Sequence, residues 1–298
     1  MNVEKVIFHY FMSKYLVVLA GSPRGGELTY NSLYRNVVDH LSADLAICTT
    51  QNYYDDKISL FSKAKYKWII KDYDNFFKYY EENFNGNWKE FFNFGKNTGL
   101  YESGSIHFVF KDIILKNYLK ILKNYDFIIY TRFDQYYLYP HISGEKEKIL
   151  IPEGEDYFGV CDRHAIVPVK FIDKFLNICE FINDSSLLDT SIEYLNCETA
   201  YLQHLTHEGI NKFIKRYPRT QFTSAEEKDK TNWRVPKYKI FFLKDLWLKY
   251  PDEFIESCKS IRQKQRFFQF IINYPGFSIY YYYLLLRRFS GRFKNSNF

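Results

Sequence analysis

The sequence predicts an α/β fold: a Rossmann-type sandwich with a mostly parallel central sheet and a helical C-terminal extension. Three observations predict it. Short apolar runs at residues 15–20, 44–49 and 127–130 have strand length and are rich in β-formers. A glycine-bearing loop and a helix-period segment separate the first two, as in a βαβ unit with a parallel crossover. After residue 250 the pattern turns helical and basic.

In chain order, YLVVLA at 15–20 reads as a buried first strand, followed by the loop GSPRGGELT. Leu33, Val37, Val38 and Leu41 then recur at helical spacing over residues 30–41. DLAICT at 44–49 is the second strand. Residues 67–70 read as a further strand, and 76–84 and 88–94 as short aromatic helices. Residues 106–122 carry a helix, with Phe110, Ile113, Ile114, Tyr118, Ile121 and Leu122 as its apolar positions. The run FIIY at 127–130 is a buried strand that delivers Arg132 and Asp134 to its end. Strands are expected at 149–151, 159–162, 165–167 and 212–217, and helices at 172–182 and 197–207. Residues 220–236 read as polar loop, and 243–249 and 251–268 as helical. The division expected is a catalytic domain over 1–240 and a basic, aromatic extension over 241–298.

Bulk composition narrows the function classes. The chain has 298 residues, 46% of them hydrophobic and 20% aromatic, so a sizeable core is expected. Net charge is +6, yet no acidic residue follows Glu256 and eight basic ones do, which leaves the first 256 residues near −2. That distribution argues against a nucleic-acid binder and for a cationic tail facing anionic lipid. Five widely spaced cysteines without a C-x-x-C pair argue against a disulfide framework or a cysteine zinc site. No basic segment followed by a long apolar run opens the chain, so the expected location is cytoplasmic, peripheral on the inner face of the membrane.

Five sets of residues are candidates to carry chemistry. In open α/β sheets ligands bind beyond the carboxyl ends of the strands, which is where Arg132 and Asp134 fall. A carboxylate there suits Mg²⁺ or Mn²⁺, and an arginine fork suits phosphate. In the first loop, backbone amides after Gly21, with Arg24, could hold a phosphate at the start of the following helix. Asp162, within GVCDRH, is a candidate general base. Glu198, near a helix start, is a candidate for the base or for a contact to acceptor hydroxyls. Arg216, Arg219 and Arg234 are candidates to close over a diphosphate. The uncharged stretch 267–286, interrupted by Pro275–Gly276 and flanked by arginines, reads as two amphipathic helices at headgroup level.

Taken in order, the strand with its GSPRG loop, DFIIYTRFD, PEGEDYFGVCDRH, NCETAYLQHL and KRYPRTQF resemble a group of bacterial and viral glycosyltransferase-like proteins of polysaccharide biosynthesis. These are nucleotide-sugar transferases of the GT-A type, and the resemblance covers roughly residues 14–235. It implies a GT-A-like catalytic domain and a DXD motif at a strand end, here Arg132-Phe133-Asp134, with arginine in place of the first carboxylate. Asp134 is then the metal ligand for Mn²⁺ or Mg²⁺, Ser22 and Arg24 meet the nucleotide, and Glu198 lies on the acceptor side. The implied partners are a nucleotide-sugar donor, a glycan or lipid-linked acceptor and an anionic membrane surface through residues 265–298; no nucleic acid is expected. Two other readings are open. VVLAGSPRGG is similar to the phosphosulfate loop of sulfotransferases, departing after Gly25. A non-catalytic, membrane-associated glycan-assembly module is the third.

Overall fold

The computed structural model describes residues 13–98, 100–192, 194–226, 229, 238–239 and 246–289. The first apolar run is β1 (Tyr15–Ala20), buried at every position. α1 (Gly26–Leu33) starts inside the glycine loop rather than at residue 30, and widens into a π-helical turn at Tyr34–Val38. β2 (Asp44–Thr50) pairs in parallel with β1 and completes the βαβ unit. The short α2 (Ser59–Lys63) leads to β3 (Tyr66–Ile70), parallel to β2. α3 (Phe77–Asn83), α4 (Trp88–Phe94) and the long α5 (Ser105–Leu122) then pack by their rings, with Phe77 stacked on Trp88 and Trp68 on Tyr118. β4 (Phe127–Thr131) returns beside β1, on the side away from β2.

β5 (Gln135–Tyr137) leaves the main sheet at once. β6 (Ile149–Pro152) and β7 (Ala165–Pro168) rejoin it, whereas residues 159–162, expected as a strand, are irregular. The helix expected over 172–182 is two, α6 (Ile172–Leu176) and α7 (Ile178–Asn183), broken at Asn177. α8 (Cys197–His207) and β8 (Ile214–Tyr217) follow. β9 (Gln221–Ala225) occupies part of the expected polar loop, and β10 (Tyr238–Lys239) and β11 (Trp247–Leu248) pair beyond it. Of the helix expected at 243–249, the described part is strand at 247–248; residues 243–245 lie outside the described residues. α9 (Pro251–Lys264), α10 (Phe267–Asn273) and α11 (Pro275–Phe289) form the extension.

The main sheet has the order β3-β2-β1-β4-β7-β6-β8. β7 is antiparallel to β4 and β6, and β6 is parallel to β8, so β7 alone runs against the other six strands. Odd positions of β1 (Tyr15, Val17, Leu19) feed one core layer with α1, and even positions (Leu16, Val18, Ala20) feed the other with α5 and α8. Both faces are covered, which explains why β1 and β4 read as continuous apolar runs rather than alternating ones. A second sheet, β10-β11-β9-β5, stands against the extension, and Phe222, Leu248, Phe254, Ile261 and Leu284 close a third core between them.

Candidate active site

The strand order creates a switch point. From β1 the chain moves out to β2 and β3, then crosses back to β4 on β1's other side. Loops leaving β1 and β4 therefore diverge and leave a crevice at their carboxyl ends, where open α/β sheets bind ligands. The residues expected to bind are delivered to this edge. β1 ends in Gly21 and β4 in Arg132-Phe133-Asp134. Because β7 is reversed, with Ala165 opposite Tyr130, the residues just before it, Asp162, Arg163 and His164, arrive at the same edge. The loop after β6 and the residues after β8 end there too.

The glycine loop and Asp134 touch. Gly25 has a left-handed φ of 89°, and a Cβ added there would lie 3.2 Å from the Asp134 Cα and 3.1 Å from the Ser224 and Thr29 hydroxyls. Only glycine fits that approach without strain. Arg24 and Ser22 lie part-buried in the same turn. The Gly25 N–H, one of the amides expected to meet a phosphate, donates to the Asp229 carboxylate at 2.9 Å. An acidic side chain thus already sits at the start of α1, where the helix favours an anion.

Asp134 is buried, and both of its oxygens accept from the Arg132 fork, at 2.9 Å from Nε and 2.5 Å from Nη2. Burial alone would raise its pKa, but Arg132, Lys249 and Arg24 outweigh that and hold the carboxyl below its usual range. A divalent ion at Asp134 would have to displace a bidentate guanidinium and sit among three cations. The residues as arranged do not fit one there, and no step below runs through a metal.

Asp162, Glu198 and Arg163 form the second half of the site. α8 starts on a reciprocal capping box, in which Asn196 Oδ1 accepts from the Thr199 N–H at 2.8 Å and Thr199 Oγ1 accepts from the Asn196 N–H at 2.8 Å. That cap fixes Glu198 in the first helical turn. Gly159 packs so closely on it that an added Cβ would fall 2.0 Å from the Glu198 carbonyl oxygen. Arg163 lies 3.5 Å from Glu198, 3.2 Å from Glu155, 3.7 Å from Glu253 and 4.0 Å from Asp162. Burial, then the nearby Asp162 charge, push the Glu198 carboxyl up to about 8, against the pull of Arg163. Burial also penalises charge on Asp162, but Lys111, Arg163 and Arg132 hold it below the usual carboxylate range. The pair therefore carries about one proton at neutral pH, on Glu198.

The late arginines do something other than expected. Arg219 donates to the Glu153 carbonyl at 2.9 Å and pairs with Glu155 at 2.9 Å; Arg216 pairs with Asp156 at 2.8 Å. They clamp the loop after β6, where Glu155, Tyr157 and Phe158 all have positive φ, a costly state for non-glycine residues. Phe158 projects from that loop, 89% exposed, beside Gly159 and the start of α8. Arg234 lies outside the described residues.

Sequence reasoning missed four participants. Lys249, between β11 and α9, faces Asp134, and burial with Arg132 next in size lowers its pKa to about 8. Glu253, in the first turn of α9, accepts from the Thr223 N–H and approaches Arg163. Lys111 is fully buried, donates to the Asp162 carbonyl at 3.1 Å and lies 4.4 Å from the Tyr201 ring centre. His107, one turn earlier on α5, is held neutral by burial and by Arg132. A lysine and a glutamate in an extension carry no local signal that they meet β4, and Lys111 occupies an otherwise plausible helix surface position. No protein-family model matches the chain, and no curated protein resembles it significantly.

Proposed function

We propose that the chain is a nucleotide-sugar-dependent glycosyltransferase of GT-A type, moving a sugar from a nucleoside diphosphate to a hydroxyl of a glycan or lipid-linked acceptor. One observation carries the reading: the glycine turn and the Arg132–Asp134 pair meet at the β1/β4 switch point, with Arg24, Arg132 and Lys249 gathered around one carboxylate. Three cations act on Asp134, and a diphosphate would take the place of the Asp229 carboxylate at the Gly25 amide. Arg132 keeps 16% and Glu198 12% of side-chain surface, so each half of the site keeps one polar group in reach of solvent.

In this reading Arg24 and Lys249 hold the diphosphate, and Asp134 keeps the Arg132 fork in position. As the bond from the anomeric carbon to the diphosphate breaks, the electron pair leaves with the phosphate oxygen, and these fixed cations offset its growing charge. The acceptor hydroxyl forms the new bond and loses its proton to a carboxylate. Asp162 is the base at neutral pH, because it is ionised while Glu198 holds a proton up to about 8. Protonated Glu198 donates a hydrogen bond to the acceptor, and the exposed Phe158 ring offers a sugar its apolar face.

A thermal-shift panel of UDP-, GDP-, CMP- and dTDP-sugars and 3′-phosphoadenosine 5′-phosphate, each with Mn²⁺ and with EDTA, tests the proposal. One nucleotide sugar is expected to stabilise the chain in EDTA, by about 2.7 kcal/mol at a hundred times its Kd. A shift only with the bisphosphate would replace the reading by the sulfotransferase one. No shift at all would leave a non-catalytic module.

A further inference from the structure

The extension presents an apolar surface that its own fold does not use. On α11, Tyr280, Tyr281 and Leu284 are buried against α9 and the second sheet. Ile279 and Leu286, seven residues apart and so on one face, point the other way, at 55% and 69% exposure. On α10, Phe270 is buried, while Phe268 and Ile272, four apart, are each 74% exposed. The two faces join through rings: Phe267 lies 5.5 Å from Phe268 and 5.9 Å from Tyr282 of α11, centre to centre. Each large apolar side chain left in water forgoes the gain of burial, and a run this long marks an interaction surface.

Charge selects the occupant. Arg262, Lys264 and Arg266 are exposed where α9 passes into α10, and Arg288 is exposed near the end of α11. No acidic residue follows Glu256 in the sequence. Tyr283, 37% exposed on α11, supplies a ring with an apolar body and a polar tip, the form that settles at a headgroup boundary. Among the described residues no helix is long and apolar enough to cross a membrane. We infer that the outer faces of α10 and α11 lie in the plane of an anionic lipid bilayer, apolar side chains among the upper acyl carbons and the arginines and lysines at the headgroups. The inference does not rest on the glycosyl-transfer reading. It also fixes where the site would work: α9, about 20 Å long at 1.5 Å per residue, runs rigidly from Glu253 in the site to the membrane-facing helices.

Co-sedimentation of the full chain with vesicles tests it. Vesicles of phosphatidylcholine with about 30 mol % phosphatidylglycerol are expected to pellet most of the protein in about 0.1 M salt. Pure phosphatidylcholine should pellet roughly ten-fold less. The triple variant Phe268→Ser, Ile272→Ser, Leu286→Ser should lose the binding while keeping its melting temperature; if the triple variant misfolds, Phe268→Ser alone should weaken it. Arg262→Gln with Lys264→Gln and Arg266→Gln should remove the preference for anionic lipid. Equal pelleting of wild type and apolar variants would overturn the inference, as would no pelleting. So would a concentration-dependent dimer, seen by light scattering and lost in the triple variant, which would assign the surface to a second copy.

Discussion

The strand-end site and the outer face of α10–α11 both concentrate charge, under opposite conditions. In the site, Arg163 is buried among Glu155, Asp162, Glu198 and Glu253, and Arg132 is part-buried on the buried Asp134. Each ion there has lost its water and depends on its neighbours. On the extension, Arg262, Lys264 and Arg266 stay in water, and the groups out of place are apolar. The difference sets what a substitution can report. Removing a charge from the site disturbs folding as well as chemistry, whereas removing one from the extension disturbs only what docks there.

The largest effect is expected at Arg163. Arg163→Leu leaves four carboxylates crowded around an apolar side chain, so stability should fall by about 3–5 kcal/mol in denaturant unfolding. Arg163→Lys should rescue little, since a point charge cannot replace a planar fork shared among four partners. A loss below about 1 kcal/mol would mean that the site is solvated like the extension, and the contrast would fail.

The same contrast separates what was legible in the sequence from what was not. β1 and β4 could be read because a strand covered on both faces is an apolar run, and Asp134 because it directly follows one. β9 could not: Gln221, Thr223 and Ser224 look like loop residues, yet they are buried. Their polarity is satisfied inside, by Gln135 Nε2 on Thr223 Oγ1 at 3.0 Å and by Ser224 Oγ on the Asp134 carbonyl at 3.1 Å. Such bonds join residues about ninety positions apart, and local pattern holds no trace of them. For the same reason Asp162 and Glu198 could each be named, while their sharing of Arg163 and of one proton could not. Lys249 escaped because its partners come from three other segments. The two helices of the tail were legible because Pro275–Gly276 interrupts one uncharged apolar stretch between them.

An uncharged polar cluster sharpens the comparison next. His141 Nδ1 donates to the Ile142 carbonyl at 3.1 Å, so its Nε2 accepts from His164 Nε2 at 2.9 Å, and His164 Nδ1 accepts from the Thr131 hydroxyl. Both rings are buried and neutral; burial lowers His141 to about 4 and His164 further below its usual value. The unfolded chain takes up these protons below about 6.5 and the folded chain does not. Stability is therefore complete above that pH and is lost as pH falls towards about 4, by roughly 2–3 kcal/mol from His141. Glu198 slopes the other way: its folded form keeps a proton that the unfolded form releases above about 4.5, so it costs stability as pH rises towards 8. The gap between urea midpoints at pH 7.5 and 5.0 should narrow in His141→Gln without closing, because buried His164 keeps its own share. Glu198→Gln should gain on wild type progressively as pH rises from about 4.5 to 8.

Lys249 gives a functional effect with less structural noise. Lys249→Met keeps the aliphatic stem and removes a charge that burial already disfavours, so stability should hardly change. Affinity for the stabilising nucleotide should fall at least ten-fold, about 1.4 kcal/mol. In wild type, affinity should weaken as pH rises through about 8, where Lys249 loses its proton, and this dependence should flatten in the variant. An unchanged titration curve in Lys249→Met would remove this residue from the phosphate site.

The smallest effect is expected at Phe268, and it sharpens the contrast because Phe270, two residues on, lies on the opposite face of the same helix. Phe270 is fully buried under α11 and Phe268 faces out at 74% exposure. Phe270→Ala should cost about 3–5 kcal/mol by opening a cavity. Phe268→Ser touches nothing the fold needs, so its cost should stay within about 0.5 kcal/mol. Guanidinium unfolding of the two variants measures both values under one set of conditions. If Phe268→Ser cost as much as Phe270→Ala, the outer ring would already be covered within the folded chain, and a surface already covered has nothing to offer a bilayer.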